Sequence, residues 1–311
     1  MKIVFFGSPS SALPSFKKIL EAGHRIELLI TQPDKPSGRG RKHNFPPTKK
    51  FAIQKNIPVH QPVKITKDRE ITKILNKIKP DMNVVVAYGQ IIPNSVIYFP
   101  TYNSLNLHFS LLPKYRGASP VQWSILKGEI ITGVTIFELN EKMDEGDILA
   151  QKKIKTLTQE NSKELEARLA KIGADLLVET IAQIDSVKRR KQKKSQAIYA
   201  PKLKKEDGKI DWKDNAINID RLVRALTPWP SAYTFFKEKR IKILKGQKEP
   251  FGTNISASPG NILNINKKGI LVNCGDNYTY LIEILKPENR KEMSSYSFSL
   301  GAGIKIGDNF D

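Results

Sequence analysis

The chain has 311 residues, 39% of them hydrophobic and 27% charged, which suits two domains with real cores. Its 52 Lys and Arg against 31 Asp and Glu leave a net charge of +21, pointing to a polyanionic partner, nucleic acid before membrane, with AT-rich coding drift as a second source of the excess. No apolar run approaches the ~20 residues that span a bilayer, and the single cysteine, Cys274, excludes an internal disulfide and a Cys-rich zinc site. The N-terminus lacks the long apolar segment of a secretory signal, so the expected location is the cytoplasm.

The first half alternates strand and helix patterns. Residues 2–6 (KIVFF) read as a strand, and 10–22 place Leu13, Phe16 and Leu20 at helical spacing. Residues 26–31 (IELLIT) read as a strand. Residues 32–50 form a long loop without apolar periodicity, carrying six Lys and Arg against one acid, Asp34. Residues 68–78 set Ile71, Ile74, Leu75 and Ile78 on one helical face. MNVVVA (82–87) is a β-branched run of the kind covered on both sheet faces, and SLNLH (104–108) is a further strand. Residues 133–139 and 147–154 flank a short acidic loop, which predicts an antiparallel pair. A helix follows from about Ser162 to Gln183, with Asn161 and Glu164 as its start signal.

Residues 186–205 hold nine Lys and Arg and no acid. Beyond Asp207 come short strands with Gly or Asn turns (AYTFF, RIKILKG, GNILNIN, GILVNCG, TYLIEIL). The pattern predicts a Rossmann-like, doubly wound, mostly parallel α/β domain over 1–185 and a basic linker over 186–206. A small OB-like β-barrel of about five strands follows over 207–311.

The chemistry-bearing residues cluster at the end of the 104–108 strand. Asn106, His108 and Ser110 alternate, so they share one face, at the strand end where open α/β sheets bind ligands. An amide and an imidazole there can donate to an oxygen that gains charge in a transition state; the same pair could instead tie down a loop. The loop 143–149 offers Asp144, able to pair with His108 or to take a proton, although the stretch alone reads as an ordinary acidic turn. Gly7, Ser8 and Pro9 stand where a dinucleotide site would carry GxGxxG, and that motif is absent, as is a Walker A sequence. The four His are scattered, so a protein-held metal is not expected. Cys274 reads as a small core residue. The glycine-bearing basic loop at 32–50 is suited to ordering on a phosphate backbone.

TQPDKPSGRGRK, NLHFSLLPKYRGASPVQ, GVTIFELNEKMDEGDIL, YAPKLKKEDGKIDW, RALTPWPSAYTFF and LIEILKP occur in the order shown by one family. Nearly end to end, the chain resembles the 10-formyltetrahydrofolate-dependent formyltransferases, specifically the methionyl-tRNA formyltransferase family. The resemblance implies a formyl-transfer domain followed by an OB-like domain that helps to hold tRNA. It implies Asn106, His108 and Asp144 as catalytic. It places the folate co-substrate near Ser110, Leu111, Leu112 and Pro113 and near Tyr88, Gly89, Gln90 and Ile91. It sets the tRNA acceptor stem against Lys35, Arg39, Arg41 and Lys42. One departure is Ser231, where the family usually has Gly. The implied partners are initiator Met-tRNA and folate, with no membrane and no metal, and two basic domains around one tRNA suggest a monomer. Competing readings are a formyltransferase with a small amine acceptor, a hydrolase of the formyl group, and a noncatalytic RNA-binding protein.

Overall fold

The apolar runs of the first half become strands of one seven-stranded sheet, with the two-residue strand Val59–His60 added at its edge. In chain order these are β1 (Lys2–Gly7), β2 (Arg25–Ile30), β3 (Val59–His60), β4 (Met82–Val86), β5 (Ser104–His108), β6 (Ile131–Glu138) and β7 (Ile148–Lys155). The computed structural model describes residues 1–37, 42–250, 257–276 and 278–311. The spatial order is β7-β6-β5-β4-β1-β2-β3. β1 to β5 run parallel. β6 is antiparallel to both β5 and β7, as the short connection between β6 and β7 requires.

All five residues of β4 are buried, which explains why its sequence is continuous rather than alternating. The chain leaves β1 toward β2 and β3, then returns to β4 on the other side. This reversal is the topological switch point, and the C-terminal ends of β1 and β4 flank it. Helix Ser162–Ala182 begins with a reciprocal cap: Glu164 N–H donates to Asn161 Oδ1 (3.1 Å) and Asn161 N–H donates to Glu164 Oε2 (2.9 Å).

The chain divides into two compact units. The first comprises Met1–Pro120, Ile131–Lys155 and Glu166–Pro201, and the second Val121–Ile130, Thr156–Leu165 and Lys202–Asp311. The second unit is built on an antiparallel sheet of β8 (Ala232–Phe236), β9 (Lys239–Glu249), β10 (Ile262–Asn266), β11 (Gly269–Asn273) and β12 (Thr279–Pro287), in the order β8-β9-β12-β11-β10, with the short strand Met293–Ser294 also paired to β12. Ile243, Ile270, Val272, Tyr280 and Ile282 fill its core with Val223 of helix Ala216–Leu226.

Residues 32–50 are not loop throughout. Lys35–Ser37 pairs antiparallel with Lys42–Asn44, and a helix runs over Pro47–Gln54. Pro47 opens that helix, where a missing N–H costs nothing and the fixed φ is already helical. Apolar periodicity is weak because the helix is short and largely polar. Residues 186–201 pack within the first unit, and Tyr199–Ala200 forms a parallel two-stranded pair with Arg116–Gly117.

Candidate active site

β5 delivers Asn106 and His108 to the same face. Asn106 is half-buried, and its side-chain amide makes no hydrogen bond to another described residue. His108 is buried, with its Nε2 2.9 Å from the carbonyl oxygen of Tyr115. A carbonyl can only accept, so Nε2 carries the proton in this bond. The ring nitrogen left uncommitted is therefore Nδ1, which lies 3.8 Å from Asp144 Oδ2. At that distance the two make no direct hydrogen bond.

Asp144 sits in the loop between β6 and β7 with φ +53. That left-handed conformation is uncommon for a residue with a Cβ. Its Oδ2 accepts the Gly117 N–H at 2.7 Å. Gly117 has φ +124, and a Cβ there would lie 2.6 Å from the Ala200 carbonyl oxygen, so only glycine lets the Tyr199–Ala200 strand approach while the N–H points at the carboxylate. Next to it, Arg116 is buried. Its Nη1 meets Glu145 Oε1 at 3.0 Å, and its Nε and Nη2 donate to Gln192 Oε1 at 3.0 and 2.8 Å. Neither Arg116 nor Gln192 stands out in the sequence. The only trace of Arg116 is its place between the PKY and GA of LLPKYRGASP, and the contact with Gln192 spans 76 positions.

The polar groups of Ser110–Pro113 are largely engaged inside the chain. Ser110 is fully buried and its hydroxyl donates to Lys114 O at 2.6 Å. Thr135 Oγ1 donates to Ser110 O and accepts from Leu112 N–H, and Gln151 Nε2 donates to Leu112 O. The Leu112–Pro113 peptide is cis. What this turn presents outward is apolar surface of Leu111 and Pro113, both half-buried.

The loop after β4 is likewise divided. Tyr88 is buried, its ring edge-on to Phe6 at 5.5 Å, and burial holds its phenol well above the usual range. Gln90 accepts from Ile65 N–H and donates to Pro62 O. Gly89, at φ +82, and Ile91, 76% exposed, face outward. Gln32 Nε2 donates to Tyr88 O, and Ser8 Oγ accepts from Thr31 Oγ1 and Gln32 N–H. These bonds tie the ends of β1, β2 and β4 into one rim at the switch point. The exposed groups of these two turns are thus apolar or backbone, which suits the flat face of a heterocycle, and Asn106 supplies an unspent polar group.

Of the predicted basic contacts, Arg39 and Arg41 lie outside the described residues, and Lys35 and Lys42 stand on the paired strands Lys35–Ser37 and Lys42–Asn44. Lys49 is held internally by Asp34 Oδ2 (2.6 Å) and Gln61 Oε1 (2.7 Å), over the Phe45 ring. In the second unit, β8 and β9 pair Tyr233 with Lys242 and Phe235 with Arg240, and β12 sets Lys286 beside Lys242. The Arg240 guanidinium lies 3.6 Å from the Tyr233 ring centroid. Partial burial, then the charges of Arg240, Lys286 and Lys205, hold the Lys242 amine below its usual range. Like charges gathered beside aromatic rings favour an anionic partner. Among the described residues no group of three or more His, Cys, Asp or Glu is gathered as a metal site would need, and no helix is long and apolar enough to cross a membrane.

Residues 1–181 match the family described as "Formyl transferase", and 202–303 match "Formyl transferase, C-terminal domain". The chain is 41% identical to a "Methionyl-tRNA formyltransferase" of Thermodesulfovibrio yellowstonii, over 98% of this chain and 97% of that protein. It is 40% identical to the protein of that name from Caldanaerobacter subterraneus, over 99% of each. Among solved structures it resembles HypX from Aquifex aeolicus, solved in complex with tetrahydrofolic acid, with a TM-score of 0.69 at 17% identity, covering 99% of this chain and 48% of that one. It also resembles WlaRD, a sugar 3N-formyl transferase, with a TM-score of 0.66 at 20% identity, covering 94% of this chain and 99% of that one.

Proposed function

The chain belongs to the formyltransferase family, and from that premise we propose that it transfers the formyl group of 10-formyltetrahydrofolate to the α-amine of initiator methionyl-tRNA. The observation that carries the site assignment is the Asn106 amide. It stands at the end of β5 with no partner among the described residues, beside a His108–Asp144 pair whose carboxylate is held at 3.8 Å.

In this reading the uncharged amine attacks the formyl carbon and the carbonyl oxygen takes up negative charge. Asn106 donates to that oxygen. His108 can add a second donor only through Nδ1, because Nε2–H is committed to Tyr115 O. Nδ1 donates only when the ring is the imidazolium, with the Asp144 carboxylate 3.8 Å away. The bond from carbon to the folate nitrogen then breaks, and the proton lost by the amine equals the one that nitrogen needs. Asp144 helps to remove it. No covalent enzyme adduct is required. Leu111, Pro113, Gly89 and Ile91 would bed the folate, while Tyr88, Gln90, Ser110 and Leu112 shape the two turns that present them.

The tRNA would contact Lys35, Arg39, Arg41 and Lys42 with its acceptor stem, and the Tyr233–Lys242–Lys286 face of the second unit with its backbone. One tRNA held by both units is consistent with a monomer working in the cytoplasm. Asn106→Ala should lower turnover by about 10²–10³-fold while folate binding survives. Arg39→Ala or Arg41→Ala should instead raise KM for Met-tRNA and flatten its salt dependence. Near-wild-type turnover in both N106A and D144A would refute the catalytic assignment. An equal loss with a free amine acceptor would refute the role of the basic loop.

A further inference from the structure

After the long helix ends, residues 189–200 return to the Asp144 loop as a strap. Arg189 Nε donates to Glu138 Oε1 at 2.9 Å. Arg190 and Ile148 exchange both backbone hydrogen bonds, at 2.8 and 2.9 Å. Gln192 Nε2 donates to two carbonyls of the loop, Asp144 O and Gly146 O, each at 2.8 Å. Its Oε1 accepts twice from buried Arg116, which also binds Glu145. At the strap's far end, Tyr199–Ala200 pairs with Arg116–Gly117, and Gly117 N–H is the donor to the Asp144 carboxylate.

Asp144 is therefore gripped from both sides by groups that the strap fixes. Its main-chain carbonyl is held by Gln192, and its carboxylate by Gly117. A left-handed backbone at a residue with a Cβ persists where the surroundings over-determine it, and φ +53 at Asp144 is such a case. The chemistry of position 192 is demanding. A carboxamide can donate to two carbonyls with its nitrogen while its oxygen accepts from a guanidinium. A carboxylate would satisfy Arg116 but set an oxygen against the two carbonyls.

We propose that Gln192, acting with Arg116, is a positioning residue that sets the Asp144 backbone and so the separation between its carboxylate and His108. The strap read from sequence as a basic linker is, on this account, part of the catalytic scaffold. The inference rests on the reading of Asn106, His108 and Asp144 as the reacting cluster.

The test uses the full chain with Gln192→Ala and Gln192→Glu, each also combined with Asp144→Ala. Single-turnover formyl transfer, KM for the formyl donor and thermal melting are measured. Misplacing a reacting group by about 1 Å can cost about 10²-fold, so turnover of both variants should fall by about that factor with KM for the donor unchanged. Added to D144A, either change should cost little more, because the two act through one group. A strap that only anchors the fold would lower the melting temperature with no turnover defect in the folded enzyme; Q192E, which keeps the Arg116 acceptor, is also the variant to read should Q192A not fold. Wild-type turnover in Q192E, or full additivity with D144A, would overturn the inference alone. A wild-type chain unable to transfer formyl groups would overturn the reading of the site and this inference with it.

Discussion

Asp144→Asn isolates the charge of Asp144 from its shape. The asparagine oxygen can still accept the Gly117 N–H that Asp144 Oδ2 accepts at 2.7 Å, so the loop keeps its anchor. What disappears is a negative charge 3.8 Å from His108 Nδ1, between side chains only 13% and 8% exposed. At an effective dielectric of about 20, two unit charges at that distance attract by about 4 kcal/mol. If the imidazolium is the state that donates in the transition state, its loss lowers the rate by about 10³-fold. The assay is single-turnover transfer of a labelled formyl group to Met-tRNA at saturating donor, with melting temperature as the control for folding. A D144N enzyme within about threefold of wild type, with an unchanged melting temperature, would refute the role given to this pair.

Two further predictions concern residues away from the chemistry. Burial, with Asp276 and Asp214 nearby, pushes the Cys274 thiol up to about 12. Since only the thiolate reacts, the native chain should resist alkylation at pH 8 and the urea-unfolded chain should react; rapid labelling of the native chain would contradict this. Ser231 is buried at φ +73, with its hydroxyl donating to Pro228 O at 2.8 Å. Left-handed backbone costs a residue with a Cβ about 1 kcal/mol, and a hydrogen bond returns about 1 kcal/mol. Ser231→Ala should therefore destabilise by about 1 kcal/mol, and Ser231→Gly should stay near wild type in denaturant unfolding. S231A as stable as S231G would refute that balance.

The strands of the first unit were legible because burial on both faces writes itself as a near-continuous β-branched run, as in the three valines of MNVVV in β4. The Asn106–His108 pair was legible from period two, and the β6–β7 pairing from the shortness of the loop between them. The two turns proposed to bed the folate were only half legible. Their sequence shows which residues occupy them, but Ser110 and Leu112 are engaged by Thr135 and Gln151, partners set by strand pairing and not by local spacing. The same holds for Gln192, whose bonds to Asp144 and Gly146 close across more than 40 positions. Its run of lysines and arginines reads as a basic linker, and nothing in that composition marks one glutamine as a clamp. The left-handed backbone at Ser231 is likewise a matter of φ, which composition does not reveal.

The most direct test of the account is mass detection of formyl-methionine on charged initiator tRNA after incubation with the chain and 10-formyltetrahydrofolate. Elongator Met-tRNA and Asn106→Ala are run in parallel. The account predicts formyl-methionine on the initiator tRNA with the wild-type chain and a loss of about 10²-fold or more with N106A. No product with the wild-type chain, or product at the wild-type rate with N106A, would contradict it.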